Sequence, residues 1–414
     1  MLKCVFLLVS FIFTITSYTQ FGWVQYQTSA DSLNSFDFFD ANTGMAVGNS
    51  GVFLKTINGG VNWFIPNSRT LSTNILEVKL LSALTCLLVT SDSILRSTDG
   101  GYSLNPVYSH FYAKYSSMCF VNNLTGYLIF ANKILKTTNG GINWQEIAWS
   151  SFSFYDIALV NTQTFYTSGF WEFNVQGNEF VLGDIIKSTN QGTSWSTVYQ
   201  EPGDTKSHPL YFFDDNNGLW YDYAFAKTTN GGANWFPIDI GTSETINKIF
   251  FINHYKGWLA GNNGKIVSTT NEGSTWSIQQ SGVTSNILNI KFIDQYTGWA
   301  VTSTGTMLKT TSGGFPRGII KISDEIAENF SLSQNYPNPF NPYTKITFIV
   351  PNERIVKLEL YDVLGKRIKV LIDGNFSPGK YLYNFFEIDI PSGIYYYRLT
   401  SNNFSQTKKM VLIK

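Results

Sequence analysis

Cleaving a glycosidic bond takes two carboxyl groups on opposite sides of the scissile oxygen. Asp156, Glu172, Glu179, Glu201 and Asp204 fall in one stretch and could supply such a pair. Acidic residues in loops are more often simply solvated. A clamp on an anionic substrate takes several bidentate guanidinium groups. Between residues 20 and 316 the only arginines are Arg69, in a loop, and Arg96, at the lysine position of the second repeated turn. The histidines are His110, His208 and His254, without the paired spacing of a metal site, so no metal and no cofactor are expected. Cys86 and Cys119 read as buried free thiols, because Cys86 starts strand two at the lower end of its blade and Cys119 lies well up strand one of the next, beyond the roughly 7 Å reach of a disulfide. No catalytic residue is assigned. Recognition is the better-supplied chemistry. "SGFWEFNVQGNEF" puts Phe170, Trp171 and Phe173 in a loop. Neighbouring connections add Tyr108, His110, Phe111 and Tyr112, then Trp149 and Phe152, then Glu201, Asp204 and His208. Clustered loop aromatics on one face mark a binding surface.

The elements that position these residues are written in a repeat. "TTNGGINW" at Thr137–Trp144 returns as "TTNGGANW" at Thr228–Trp235, and looser copies bring the total to seven. The polar centres are Asn58, Asp99, Asn139, Asn190, Asn230, Asn271 and Ser312, spaced about forty residues apart. A second column keeps step with them: Asp40, Ser82, Asn122, Asn161, Asp214, Asn253 and Asp294. A 40-residue period of short strands predicts propeller blades. One blade reads "FDFFD", "GMAVG", "VFLKT" and "WFIP" from Phe36 to Pro66. The first strand reads as apolar throughout and buried on both faces. In each turn a Thr closes strand three, the Asn or Asp side chain bonds backbone N–H groups two residues on, and a Gly takes a positive φ. Trp63, Trp144, Trp195, Trp235 and Trp276 then wedge against the neighbouring sheet. Seven copies cannot all be one active site, so the turn reads as scaffolding. The seventh copy lacks its own Trp strand. "GWVQYQ", with Trp23, is expected to supply it from the other end of the chain and close the ring.

Composition agrees with many short strands: aromatics reach 16% and charged residues only 14% of 414 residues. Residues 20–316 hold 15 Lys/Arg against 20 Asp/Glu, and residues 317–414 hold 13 against 9. Neither half has the dense positive charge that nucleic acid requires, so none is expected as a partner. Residues 1–19 have one Lys, an apolar run and small polar residues, which predicts a signal peptide cut near Thr19–Gln20. That run is shorter than the roughly 20 residues of a span, and no transmembrane segment is expected.

The Thr/Ser-x-Asn/Asp-x-Gly-x-x-Trp turn resembles the Asp-box, or bacterial neuraminidase repeat. The longer unit, "NHYKGWLAGNNGKIVSTTNEG", is similar to photosystem II stability/assembly-factor repeats. The resemblance implies a seven-bladed β-propeller over residues 20–316. Sialidase activity is disfavoured because the arginine triad of those enzymes cannot be built here. A photosystem partner is not carried over either, because the arginine-rich docking patch of that family is missing.

After Phe315 the periodicity stops. Residues 317–330 read as a linker. Residues 331–414 then show "NYPNPF" at Asn335–Phe340, "YDVLGK", "GIY" at Gly393–Tyr395 and a basic-apolar end at Lys408–Lys414. These motifs, in this order, resemble the C-terminal sorting domain of type IX secretion substrates. The resemblance implies a small immunoglobulin-like β-sandwich, recognised by the type IX machinery, which addresses the chain across the outer membrane. The whole reads as an all-β, secreted or cell-surface, non-catalytic recognition or adhesion propeller. Its ligand would be an extracellular protein or glycan. The alternative is an extracellular glycoside hydrolase acting on polysaccharide.

Overall fold

The computed structural model describes every residue except 1–21, 29–31, 67–70, 110–115, 131, 150–151, 176–177, 203–208, 222–223, 316–317, 324–327 and 388. For residues 116, 148–149, 152–153, 170–175, 178–183 and 201–202 it describes the backbone alone. The expected signal peptide lies outside the described residues. Among those described, no helix is long and apolar enough to cross a membrane. The chain divides into two units, Gly22–Gly314 and the residues from Phe315 onward.

The first unit carries seven antiparallel sheets, numbered here in chain order from the one that opens at Ser35. Sheets two to six each use four consecutive strands, for example Ile246–Phe251, Gly257–Gly261, Ile266–Thr269 and Ser277–Gln279 in sheet six. Sheet one has three, Ser35–Phe38, Gly44–Val47 and Phe53–Thr56. The "WFIP" segment does not form a full fourth strand there and keeps only a bridge between Phe64 and Lys55. Sheet seven combines Ile287–Phe292, Gly298–Thr302 and Thr306–Gly314 with Gly22–Gln27 from the start of the unit. In that pairing Val24 faces Lys309 and Tyr26 faces Met307. The first strand of each sheet touches the first strand of the next, and Ile287–Phe292 touches Ser35–Phe38, so the sheets form a closed ring. Closure removes the open sheet edges that a linear stack would expose.

The hydrophobic clusters lie between successive sheets. Phe38 stacks on Trp299 with ring centroids 3.7 Å apart, Phe292 on Trp258 at 3.5 Å, and Phe212 on Tyr166 at 3.5 Å. Each pair joins the last residue of one first strand to the second strand of the preceding sheet. Seating these rings explains the recurrent glycine. Phe38, Phe120, Phe212, Phe251 and Phe292 pair with Gly44, Gly126, Gly218, Gly257 and Gly298. A Cβ at those glycines would stand 2.4–2.8 Å from the paired ring. Where the second strand opens on Cys86 or Phe165 instead, its partner is Leu80 or Leu159. The small residue follows the large one.

The second unit packs two four-stranded sheets on a single apolar core that includes Phe348, Leu358, Tyr397 and Met410. The expected linker is corrected here. Gly318–Ser323 is an edge strand paired with Gly379–Phe386, Ile319 facing Tyr383 and Lys321 facing Tyr381. Ile-Ile-Lys-Ile alternates well enough to complete a sheet. In hydrogen exchange, the amides of Ile319–Lys321 that pair into this sheet should be protected with the rest of the unit. Exchange at loop rates would detach the strand.

"NYPNPF" is fastened to the chain's last strand, Phe404–Leu412. Val411 N donates to Asn338 Oδ1 at 2.8 Å, and Phe340 N donates to Val411 O at 2.9 Å. Asn335, 2% exposed, donates through Nδ2 to Pro337 O and Thr344 Oγ1, and its N–H donates to the Tyr397 hydroxyl at 2.7 Å. Burial leaves that hydroxyl a poor acid, its pKa raised above the ordinary tyrosine value.

Candidate functional site: a polar cavity at the ring centre

In the repeated turn the hydroxyl of the strand-three Thr or Ser accepts the N–H of the second Gly at 2.8–3.1 Å in all seven copies. That N–H is the one expected to bond the Asn side chain. The Asn or Asp oxygen therefore reaches two residues further, to the N–H of Asn62, Ser103, Asn143, Ser194, Asn234 and Thr275 at 2.9–3.0 Å. Ser312, with a shorter side chain, pairs its Oγ with Thr310 Oγ1, and its N–H donates to the same hydroxyl at 3.1 Å. The extra bond from Ser103 Oγ, with its N–H and Ser97, holds the Asp99 carboxyl down at about 2. The Thr or Ser hydroxyls and the Asn or Asp oxygens of these turns bond within the turn itself.

The sequence did not disclose the role of the cation that stands just before the Thr or Ser in six of the seven copies, Ser268 taking its place in the sixth. Lys55 Nζ donates to Gly100 O of the next turn at 2.9 Å, Arg96 Nε to Gly140 O at 3.0 Å, and Lys227 Nζ to Glu272 O at 3.3 Å. Lys136 Nζ meets Gln191 Oε1 at 2.6 Å, and Lys309 Nζ lies beside Gly59 of the first turn. These cations bolt their sheets to the next, so Arg96 is not available to clamp a substrate.

A cavity of about 480 Å³ occupies the ring centre. Each first strand, or in sheet five the residue just before it, lends it one residue at a common height: Ser35, Glu77, Ser117, Asp156, Pro209, Lys248 and Asn289. Bulges beside that height, at Leu76, Tyr155, Asn247 and Leu288, turn an additional residue toward the cavity. First strands are therefore not apolar on both faces, as their composition suggested. These positions are the N-terminal ends of the first strands. Together with Asn49 and Asn74 they put the cavity on the side opposite the repeated turns. Connection parity sends the two–three hairpins and four–one connections to that same side.

The cavity's acids are engaged with the backbone. Met118 N donates to Glu77 Oε1 at 3.1 Å, and Leu210 N donates to Asp156 Oδ2 at 3.2 Å. Asp156 Oδ1 accepts Ser117 Oγ at 2.7 Å and Ile157 N at 3.0 Å. Deeper in, Asp37, 2% exposed, accepts Leu80 N at 2.8 Å and meets Lys291 and Lys79. Each carboxylate satisfies an N–H on the inner edge of the next sheet's first strand, where no further strand can pair. Asn34 and Asn247 do the same for carbonyls, donating to Ile75 O at 2.9 Å and Ile287 O at 3.0 Å. Asp156, against the pull of burial and with help from Glu77, holds Lys248 above its ordinary pKa.

The expected recognition residues are distributed as follows. Phe170, Trp171 and Phe173 are not in a loop. They lie on Phe165–Val175, an eleven-residue strand paired with Asn178–Ser188, Trp171 opposite Leu182 and Phe152 opposite Trp171. The insertion continues the ladder because "FWEF" and "EFVL" are good strand formers on both sides of a turn. Trp149 and Tyr108 are also on strands, opposite Lys133 and Ile94. Tyr108 is half-buried against the core between sheets two and three. His110, Phe111, Tyr112, Asp204 and His208 lie outside the described residues. Of the candidate acids, Glu172, Glu179 and Glu201 are on strands of sheet four, opposite Val181, Asn174 and Gly183, away from the height of Asp156. The described residues do not bring a second carboxylate of that set to Asp156. Cys86 and Cys119 are free thiols, Cys86 pushed up to about 12 by burial.

Comparison with known proteins agrees with this architecture. Residues 225–314 match the photosynthesis system II assembly factor YCF48 family, and residues 334–414 match the secretion system C-terminal sorting domain. A solved YCF48 bound to D1 peptide is 19% identical, with TM-score 0.56 over 70% of this chain and 97% of its own. YCF48 from Cyanidioschyzon merolae is 18% identical, with TM-score 0.53 over 70% and 98%. PorZ, a bacterial surface component of the type-IX secretion system of Porphyromonas gingivalis, is 11% identical, with TM-score 0.49 over 94% and 60%. No curated protein matches the sequence. The chain is an all-β protein carrying YCF48-type propeller repeats and, at its C-terminal end, the sorting domain that directs export through type IX secretion to the cell surface or beyond.

Proposed function

We propose that the chain is a non-catalytic recognition protein of the cell surface or its surroundings, built as a seven-bladed propeller that binds on the side opposite its Asp-boxes. The observation that carries this reading is the use of the cavity carboxylates. Asp156 spends one oxygen on Leu210 N of the next sheet and the other on Ser117 Oγ and on Ile157 N of its own strand, and Glu77 spends one on Met118 N. A general acid or a water-activating base needs an oxygen free to exchange a proton with substrate. On the cavity's side of the ring sheet four carries a long hairpin, whose "FWEF" segment adds aromatic residues where other sheets have a short turn. Export by the type IX route brings this surface to partners outside the cell, protein or glycan, and the C-terminal unit would engage the secretion machinery.

The test has two arms. Incubated with cell-wall and capsular polysaccharides, the mature protein should release no reducing sugar. Replacing Trp149 and Trp171 together by Ala should lower binding to intact cells about tenfold or more, the loss expected of recognition aromatics. The melting temperature should move little. Sugar release, or retained binding with a large loss of stability, would overturn the reading.

A further inference from the structure

The repeats act as controls for one another at the cavity. At the common height, Glu77 and Asp156 each accept the N–H one residue beyond the corresponding place in the next sheet, that of Met118 or Leu210. In sheets six and seven the same height holds Lys248 and Asn289, and the N–H groups in question are those of Ile290 and Phe36. An ammonium group has no acceptor to offer. Among the described residues, neither the Lys248 ammonium nor the Asn289 side-chain amide makes a hydrogen bond. Asp156 keeps Lys248 charged. Two adjacent first strands thus turn unspent donors, and the acceptor of the amide, toward a cavity of about 480 Å³. That volume is usual for a small-molecule site.

We infer that Lys248 and Asn289 hold a neutral pyranose ring in this cavity, as a free sugar or as the non-reducing end of a glycan. The inference rests on the recognition reading above and names a ligand for its central cavity. Charge disfavours ionic ligands. A cation would meet Lys248, and an anion would meet Glu77 and Asp156, like charges that reject the wrong partner. Two residues further along the first strands, Asp37 meets Lys79 and Lys291. The two layers together hold three carboxylates and three ammonium groups, which leaves no net field for either sign. A zwitterion fares no better, because both Asp156 oxygens already accept bonds. An extended peptide threading the ring would have to desolvate the Asp37 cluster, and one ending in the cavity would bring a charged terminus. Sugar hydroxyls both donate and accept, which suits an ammonium and an amide on adjacent strands. Tyr155 and Leu288, turned in by bulges, offer apolar surface to the C–H face of the ring.

The test titrates the full secreted chain calorimetrically with the methyl glycosides of glucose, galactose, mannose and N-acetylglucosamine. At least one should bind with a Kd of about 1 mM or tighter. Asn289→Ala and Lys248→Met should each weaken that binding about tenfold or more, with cooperative melting retained. Asn289→Ala decides the matter if Lys248→Met does not fold, since the amide carries no bond among the described residues. Glucuronic acid, glucosamine and alanine supply an anion, a cation and a zwitterion, and each should bind more weakly than the neutral glycoside. A tetrasaccharide of the bound sugar that binds at least as tightly supports a glycan end in the cavity, and a weaker one supports a free sugar. No binding of any of the four glycosides, unchanged binding by the folded variants, or tighter binding of a charged probe would overturn the inference. If it falls while the Trp149 and Trp171 pair still governs binding to cells, the recognition reading stands. Release of reducing sugar from polysaccharide would instead end that reading.

Discussion

Trp23→Ala should cost the mature chain about 3–5 kcal/mol, the range for removing a buried Trp side chain from a packed core. Trp23 is 1% exposed and stands edge-on to Phe292 at 5.7 Å. Its Nε1 donates to Gln279 Oε1 at 3.0 Å, and Gln279 Nε2 in turn donates to Gly313 O at 2.7 Å and Ser268 Oγ at 3.0 Å. Gln279 is 7% exposed, so losing the indole leaves a cavity and a buried amide oxygen without its donor. The residue sits on Gly22–Gln27, which joins the two ends of the ring. Deleting residues 20–30 should go further and abolish cooperative unfolding, because sheet seven then has an open edge. Urea denaturation followed by tryptophan fluorescence measures both. Trp235→Ala makes the comparison, since Trp235 is only half-buried and precedes a strand in the middle of the chain. If Trp23→Ala costs no more than a surface change, ring closure does not depend on this strand.

Trp23 also shows why the fold was legible in the sequence. A seventh box without its tryptophan and an unassigned Trp strand near the start are complementary gaps, visible without coordinates. The box turns, the glycine column and the sorting motifs are local, and local chemistry is spelled in consecutive residues. What the sequence hid is what depends on the neighbouring sheet. Asp37, Glu77 and Asp156 look like scattered acids until the ring brings each beside the N–H it accepts. Lys55 and Arg96 form a visible column, but their job is on a turn about 45 residues away. The strand Gly318–Ser323 was taken for linker because its partner, Gly379–Phe386, is distant in the chain. The hairpin of sheet four was read as loop from its length, although its alternating aromatic and aliphatic residues favour strand. The candidate site is the least legible part, since a central cavity needs one residue from every sheet of the ring.

Gly298→Ala tests the rule that a small residue seats the large one opposite. The added methyl would stand 2.4 Å from Cδ1 of Phe292. That ring cannot step aside, because Trp258 stacks on it at 3.5 Å and Trp23 meets it edge-on. Overpacking of this kind costs about 1–3 kcal/mol, and the closed geometry places it at the upper end. Phe292→Leu alone should also destabilise, by vacating part of the stack between sheets six and seven. The double variant should recover more than 1 kcal/mol relative to the sum of the two, a coupling within the range seen for residues in contact. Its justification is already in the chain. Leu80 pairs with Cys86 and Leu159 with Phe165, so a leucine there tolerates a side chain opposite. Chemical denaturation of the four proteins gives the coupling directly. Strict additivity would mean that the glycine answers to its backbone and not to the ring, and the pairing of glycine with phenylalanine in five sheets would then need another cause.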